Sequence, residues 1–285
     1  MTRRILPWIL LSALAAAAAL LAANKRSPSR ESFLPVLRFL QQHQKQADRA
    51  LSGVLPLSPE EERRIGEEID SHLRTATPAP ASQAEENLVA EMGRTLASRP
   101  ELTRFRGRYR FRVLHDARAV NAFAVPGGFI YLTGGIVRRC RPNPALLLFV
   151  IGHEMGHVEL GHCADAQRTR EWLRKAGLPG LGGAAGFLRM LSELEFSEVQ
   201  ELEADAFALR LIHGAGQDPS VALQAMDILG LSEDSDRETK RNPAKVAAEG
   251  VTDYFRTHPG SWERRSRLQG EIERLPQSVR VNGGR

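Results

Sequence analysis

The sequence predicts an α+β fold, mostly helical, with a small β-sheet beside one apolar helix. Three observations carry this. Helix-start signals stand at Ser58-Pro59-Glu60-Glu61 and at Ser82 to Glu85. Three short runs between residues 108 and 133 have strand character, two of them flanking the breaker-rich turn Pro126-Gly127-Gly128. From Pro144 onward the pattern is helical, interrupted by glycine and proline.

Residues 1–23 precede the fold. Arg3 and Arg4 lead into the almost uninterrupted apolar run Ile5 to Ala23, just long enough to cross a bilayer core of roughly 30 Å. It reads as a signal peptide or an N-terminal membrane anchor. Cleavage after Ala17 or Ala19 would leave an apolar stub, and Ala23 has Leu21 at the minus-three place, which favours the anchor. Either way the remainder is expected in the cell envelope, on the periplasmic side of the inner membrane, or soluble in the periplasm if cleaved. Residues 24–57 are polar and proline-broken, with one short amphipathic stretch from Phe33 to Leu40, and read as a tether. The folded domain is expected over 58–276, followed by a flexible tail at 277–285.

Within that domain, Ser58 and Glu61 form a capping box with proline at the first helical position, so a helix should run to about Arg74. After the Pro/Ala linker 75–81, a second capped helix should run from Ser82 to near Ser98. Arg108 to His115 alternates Tyr109, Phe111, Val113 and His115 against arginines and Leu114, the period of a half-buried strand. Val120 to Val125 and Phe129 to Thr133 form the second and third strands. A short helix around Ile136 to Arg139, a long one from Pro144, one containing Glu201, one from Pro219 to Leu229 and one from Ser261 to Leu275 complete the domain. Leu178 to Leu191 is apolar and glycine-rich; Gly180, Gly182, Gly183 and Gly186 disfavour helix by up to ~1 kcal/mol each, which suggests a mobile flap. Leu231 to Glu249 is charged and reads as a surface loop.

The chemistry concentrates in His153-Glu154-Met155-Gly156-His157. Residues four apart share a helix face, so His153 and His157 can hold one metal, while Glu154 beside them can hold and deprotonate a metal-bound water. The apolar run Ala145 to Ile151 buries this helix. A catalytic zinc takes a third protein ligand. The positions of one such pattern hold Leu160 and Cys163, and His162 points away from the metal on a continuous helix, unless Gly161 ends that helix and frees His162 or Cys163. Downstream, Glu201 and Asp205 are four apart on one helix face and Glu203 points elsewhere. Val199, Leu202, Ala206 and Leu209 form the adjoining apolar stripe, and the small alanines permit close approach. That makes Glu201 the third ligand and Asp205 an acceptor that orients a ligand imidazole.

These residues resemble zinc metallopeptidase family forty-eight, the HtpX, BepA and CAAX-prenyl-protease type. HEMGH is followed after some forty residues by the ExxxD of Glu201 to Asp205. Val120 to Thr133 and Thr257-His258-Pro259 with Arg264 match as well, so the similarity runs from about Ser58 to about Leu275. The resemblance implies a zincin-like (gluzincin) catalytic domain holding one Zn2+ per chain on His153, His157 and Glu201, with Glu154 as general base and Asp205 in support. It also implies a single-anchor, periplasmic, BepA-like endopeptidase acting on polypeptides, since no further apolar span gives the multi-pass arrangement of HtpX. His258 and Arg264 occupy places where the family carries basic groups near the metal. Each can stabilise the oxyanion or cap a terminal helix, and His258 can instead fill the open coordination place and inhibit the enzyme. Val120 to Val125 is the expected docking edge for extended substrate, with Asn121, Ala122 and Phe123 as candidate substrate-binding residues; packing within the strand is the alternative.

Charge excludes little but points the same way. Thirty-nine Lys+Arg against 34 Asp+Glu give a net +5. The basic residues are dispersed without interleaved aromatics, which argues against nucleic acid; Lys25, Arg26 and Arg30 suit an anionic membrane surface. Cys140 and Cys163 are either one disulfide or two buried thiols. Beside the protease reading stands an assembly or quality-control factor in which the groove binds misfolded envelope proteins and the protease site is latent.

Overall fold

The computed structural model describes residues 56–76, 82–115, 119–175, 183, 196–229, 258 and 262–275. The N-terminal apolar segment, nearly all of the tether, the surface-loop stretch 231–249, the tail, and 178–191 apart from Gly183 lie outside the described residues. Among the described residues, no helix is long and apolar enough to cross a membrane.

Helix α1, Pro59–Ala76, starts as its capping box requires. The Ser58 backbone N–H donates to Glu61 Oε2 at 2.8 Å, and the Glu61 N–H donates back to Ser58 Oγ at 3.2 Å. Helix α2, Gln83–Ala97, departs from expectation: Ser82 makes no side-chain cap bond. The glutamate expected to reach back, Glu85, pairs instead with Arg138 at 2.8 Å.

Strands β1 (Arg110–Leu114), β2 (Ala122–Val125) and β3 (Phe129–Thr133) form one sheet in the order β1-β3-β2. The first pair is parallel and β2–β3 is antiparallel. All of β3 is buried, as suits a central strand with an unbroken apolar run. The turn from β2 into β3 needs glycine twice: Gly127 and Gly128 have φ of 87° and 86°, and a Cβ on Gly127 would lie 2.6 Å from the α1 backbone at Arg63. Thr133 then caps α3 (Gly134–Arg139), its Oγ1 accepting from Ile136 N.

Helix α4, Leu146–Glu159, is buried on every side from Leu146 to Val158 and forms the centre of the domain. Its inner-sheet contacts come from β2 and β3, and Ala122, Ala124, Ile130 and Leu132 join its residues in one core. Gly161, at φ 83°, ends α4 and starts α5, His162–Lys175, a helix not anticipated from the sequence. Helix α6, Glu198–Gly214, opens with a capping box between Ser197 and Gln200. It is α4's most extensive neighbour. The close approach is sequence-encoded: a Cβ on Gly156 would sit 3.1 Å from Ala204 Cα, and one on Gly152 3.3 Å from Ala208 Cα. Helices α7 (Val221–Ile228) and α8 (Trp262–Arg274) pack on the same core. Cys140 and Cys163 are both free and buried.

Candidate metal centre

The glycine–alanine seam between α4 and α6 decides the site. It lets α4 present His153 and His157, four residues and one turn apart, to Glu201 one turn into α6. All three side chains are fully buried, and so is His258, which precedes α8. One donor atom from each of the four lies within 4.8 Å of the others. The closer separations fall in a narrow range. His153 Nε2 stands 3.1 Å from His157 Nε2 and 3.2 Å from His258 Nδ1. Glu201 Oε1 is 3.4 Å from His157 Nε2 and 3.0 Å from His258 Nδ1, and Glu201 Oε2 is 3.3 Å from His153 Nε2. Donor atoms on a tetrahedron with bonds of about 2.0–2.1 Å stand roughly 3.3 Å apart. Imidazole nitrogens and carboxylate oxygens at these spacings fit zinc.

Each ligand is held from behind. His153 Nδ1 donates to Asp205 Oδ1 at 2.8 Å. Arg264, on α8 and buried, donates from Nε and Nη2 to the two Asp205 oxygens, both at 2.8 Å. Its Nη1 lies 2.8 Å from Glu201 Oε2. Phe196 stacks on the His157 ring, centroids 3.9 Å apart. Burial alone raises the Glu201 carboxyl, but His258, Arg264 and His153 more than offset it and hold it well below the usual range. Asp205 is likewise lowered, chiefly by Arg264 against the cost of burial. Burial pulls His153 down, yet Glu201 and Asp205 outweigh it and push His153 up to about 9. Burial wins at His157, which is held well below its ordinary value.

Glu154 lies on the same helix and behaves differently. It is fully buried, with the Ala124 backbone beside it and His258 Nε2 3.2 Å from Oε1. Burial raises its pKa, and the neighbouring histidines only partly oppose this. A carboxylate that resists ionisation next to a cluster of metal donors is equipped to accept a proton.

A profile described as Peptidase family M48 matches residues 83–272, a span that includes the whole cluster. The chain belongs to peptidase family M48. It is similar to the mitochondrial metalloendopeptidase OMA1 of Arabidopsis thaliana, 31% identical over 171 residues, which is 57% of this chain and 31% of that protein. It is also similar to the metalloprotease LoiP of Escherichia coli (strain K12), 27% identical over 170 residues, 56% of this chain and 61% of that protein. The chain thus spans less than two thirds of the length of either relative.

In this M48 chain the remaining sequence-predicted residues separate. Arg264 reaches the site, where its guanidinium grips Asp205 and Glu201. Strand alternation puts Asn121 and Phe123 on the face opposite Ala122 and Ala124, the face away from α4. Phe123 stacks on Tyr131 at 5.2 Å, and Tyr131 donates to Asp70 of α1; strand packing is what the Phe123 ring does. Asn121 is held by its backbone, exchanging bonds with Thr133. Ala122 is fully buried in the core. Within the sheet, β2 pairs on one side only, with β3. Sequence reasoning weighed His162 as a ligand but missed its place behind His157, where its Nδ1 lies 3.0 Å from His157 Nδ1. The signal was present in Gly161, which breaks the helix that would have turned His162 away.

Proposed function

We propose that this chain is a zinc-dependent endopeptidase of the cell envelope that hydrolyses misfolded or misassembled polypeptides. The observation that carries the reading is the convergence of four buried donor atoms, 3.0–3.4 Å apart where they are closest, beside a buried glutamate whose pKa is raised. His153, His157 and Glu201 would hold one zinc per chain. Zinc held there would polarise a scissile carbonyl and make a water molecule acidic near neutral pH. Glu154 takes the proton from the attacking water and later delivers it to the leaving amine. Asp205 keeps His153 in the tautomer that turns Nε2 to the cluster, and Arg264 keeps Glu201 and Asp205 charged and in place. The edge of β2 that is unpaired in the sheet of the described residues offers backbone donors and acceptors to an extended substrate; of Asn121, Ala122 and Phe123, it is Ala122 whose main chain faces that edge, since the Asn121 N–H and C=O are taken by Thr133. The two relatives, named as a metalloendopeptidase and a metalloprotease, support the same class.

A specific observation favours a latent form of this site. His258 Nδ1 is the fourth converging donor, and a zinc with four protein donors is a closed site. His258 Nε2 also covers Glu154 Oε1 at 3.2 Å. Hydrolysis therefore requires His258 to withdraw, which suits a quality-control factor that binds clients first and cleaves once His258 has moved.

The test is Glu154→Gln, which preserves size and packing. The wild-type chain should cleave casein, and the variant should lose about 10²–10⁴-fold of that rate while keeping its metal. Wild-type turnover in the variant would overturn the proposal. Comparing the proteomes of cells carrying each form identifies substrates, and clients retained on Glu154→Gln with no intact protein accumulating relative to wild type favour the assembly-factor reading.

A further inference from the structure

The two candidate ligand histidines are supported by different chemistry. His153 is backed by the buried carboxylate of Asp205 at 2.8 Å. His157 is backed by a second imidazole: His157 Nδ1 and His162 Nδ1 are 3.0 Å apart, and His162 Nε2 is 3.4 Å from Glu203 Oε2. The His162 side chain is almost wholly buried, whereas that of Glu203 is 42% exposed. Gly161 makes the contact possible, because its left-handed φ of 83° folds the chain back and sets the first residue of α5 against His157.

We propose that His162 and Glu203 are positioning residues that fix the tautomer and ring plane of His157, a role that rests on the zinc reading of the site. For His157 Nε2 to offer its lone pair to the cluster, the ring hydrogen must sit on Nδ1. That hydrogen needs an acceptor, and the atom facing it is His162 Nδ1. A neutral imidazole accepts at one nitrogen only when its hydrogen is on the other. His162 must therefore carry its hydrogen on Nε2, and the carboxylate facing Nε2 is Glu203. Glu203 selects the tautomer of His162, and His162 selects that of His157. Phe196, stacked on His157, restrains the ring plane from the other side. His162 supplies no donor atom to the four-residue cluster itself, so its action is through His157.

The experiment compares His162→Leu, His162→Asn and Glu203→Leu with the full-length wild-type chain. Zinc affinity is measured by chelator competition, and the His157 ring hydrogen is located by 15N NMR in the metal-free protein. In His162→Leu, zinc should bind about 10–100-fold more weakly, the usual scale for losing an outer partner of a ligand, and His157 should become a mixture of tautomers. His162→Asn places an amide oxygen near the lost Nδ1, so it should recover most of the affinity and the single tautomer. Glu203→Leu should weaken zinc less than His162→Leu and shift the His162 tautomer. Wild-type affinity with an unchanged His157 tautomer in His162→Leu would overturn the proposal. So would equal losses in the leucine and asparagine variants with the tautomer unchanged, because that is the result of packing alone. If His162→Leu does not fold, Glu203→Leu and His162→Asn still decide, through the His162 and His157 tautomers. A wild-type chain that binds no zinc defeats the metal reading, whereas the metal-free tautomer measurement still tests the orienting chain separately.

Discussion

On the wall built by α6 and α8, a buried glutamate is surrounded by cationic and hydrogen-bonding groups. Glu201 meets Arg264 at 2.8 Å and His258 at 3.0 Å, and despite its burial it is held well below the usual carboxylate range. On the opposite wall, built by α4 and β2, Glu154 is equally buried, has no guanidinium against it among the described residues, and is raised. The same side chain, with its carboxylate within reach of the same His258 ring, has been given two protonation preferences. One suits a permanent anionic ligand and the other a group that takes up and releases a proton. Burial therefore does not define a role here; the partner supplied with the burial does.

The comparison breaks most severely at Arg264. Arg264→Met should leave Glu201 and Asp205 buried without their counter-charge and destabilise the fold by about 3–5 kcal/mol, read from denaturant unfolding. A loss under about 1 kcal/mol would mean that the α6–α8 wall does not depend on the guanidinium.

Titration sharpens it next. In the metal-free protein His153 is raised from 6.5 to about 9. A raised folded pKa gives stability that is fully present below pH 6.5 and lost as pH rises through 9. Zinc must displace that same proton, so its affinity should climb about tenfold per pH unit across the same window. Calorimetry in buffers of different ionisation enthalpy should find one proton released by His153 near pH 7. No proton release would show that His153 is already neutral.

The smallest expected effect concerns the group shared by both walls. His258→Ala opens the fourth donor place and uncovers Glu154, so proteolysis and self-cleavage should rise. A fall of about 10²-fold would instead mark His258 as an oxyanion donor, and an unchanged rate would leave it structural.

Much of this was legible in the sequence because it is local. The i, i+4 spacings of His153–His157 and Glu201–Asp205 fix faces on helices whatever the tertiary fold, and the breaker turn at Pro126 to Gly128 separates two strands by its backbone demands alone. The alanines of the α4–α6 seam were legible too, though not their facing partners Gly152 and Gly156; the strand order β1-β3-β2 and the grip of Arg264 on two carboxylates from another helix depend on long-range packing, which no spacing encodes. His162 was weighed only as a ligand that a break at Gly161 would free, and its place behind His157 depends on how the chain folds back after that break. For Phe123 the sequence left substrate contact and strand packing open, because period-two alternation says which residues share a face but not which face meets α4. Ser82 was misread as a side-chain cap because its partner, Glu85, is taken by Arg138 on a different helix.

Zinc content, read by native mass spectrometry on the purified chain, tests the central assignment most directly. Wild type and Glu154→Gln should each carry one zinc, Glu203→Gln should stay close to them, and Glu201→Gln should be largely empty. Equal zinc content in Glu201→Gln and Glu203→Gln would contradict the account, because Glu201 would then not be the third ligand.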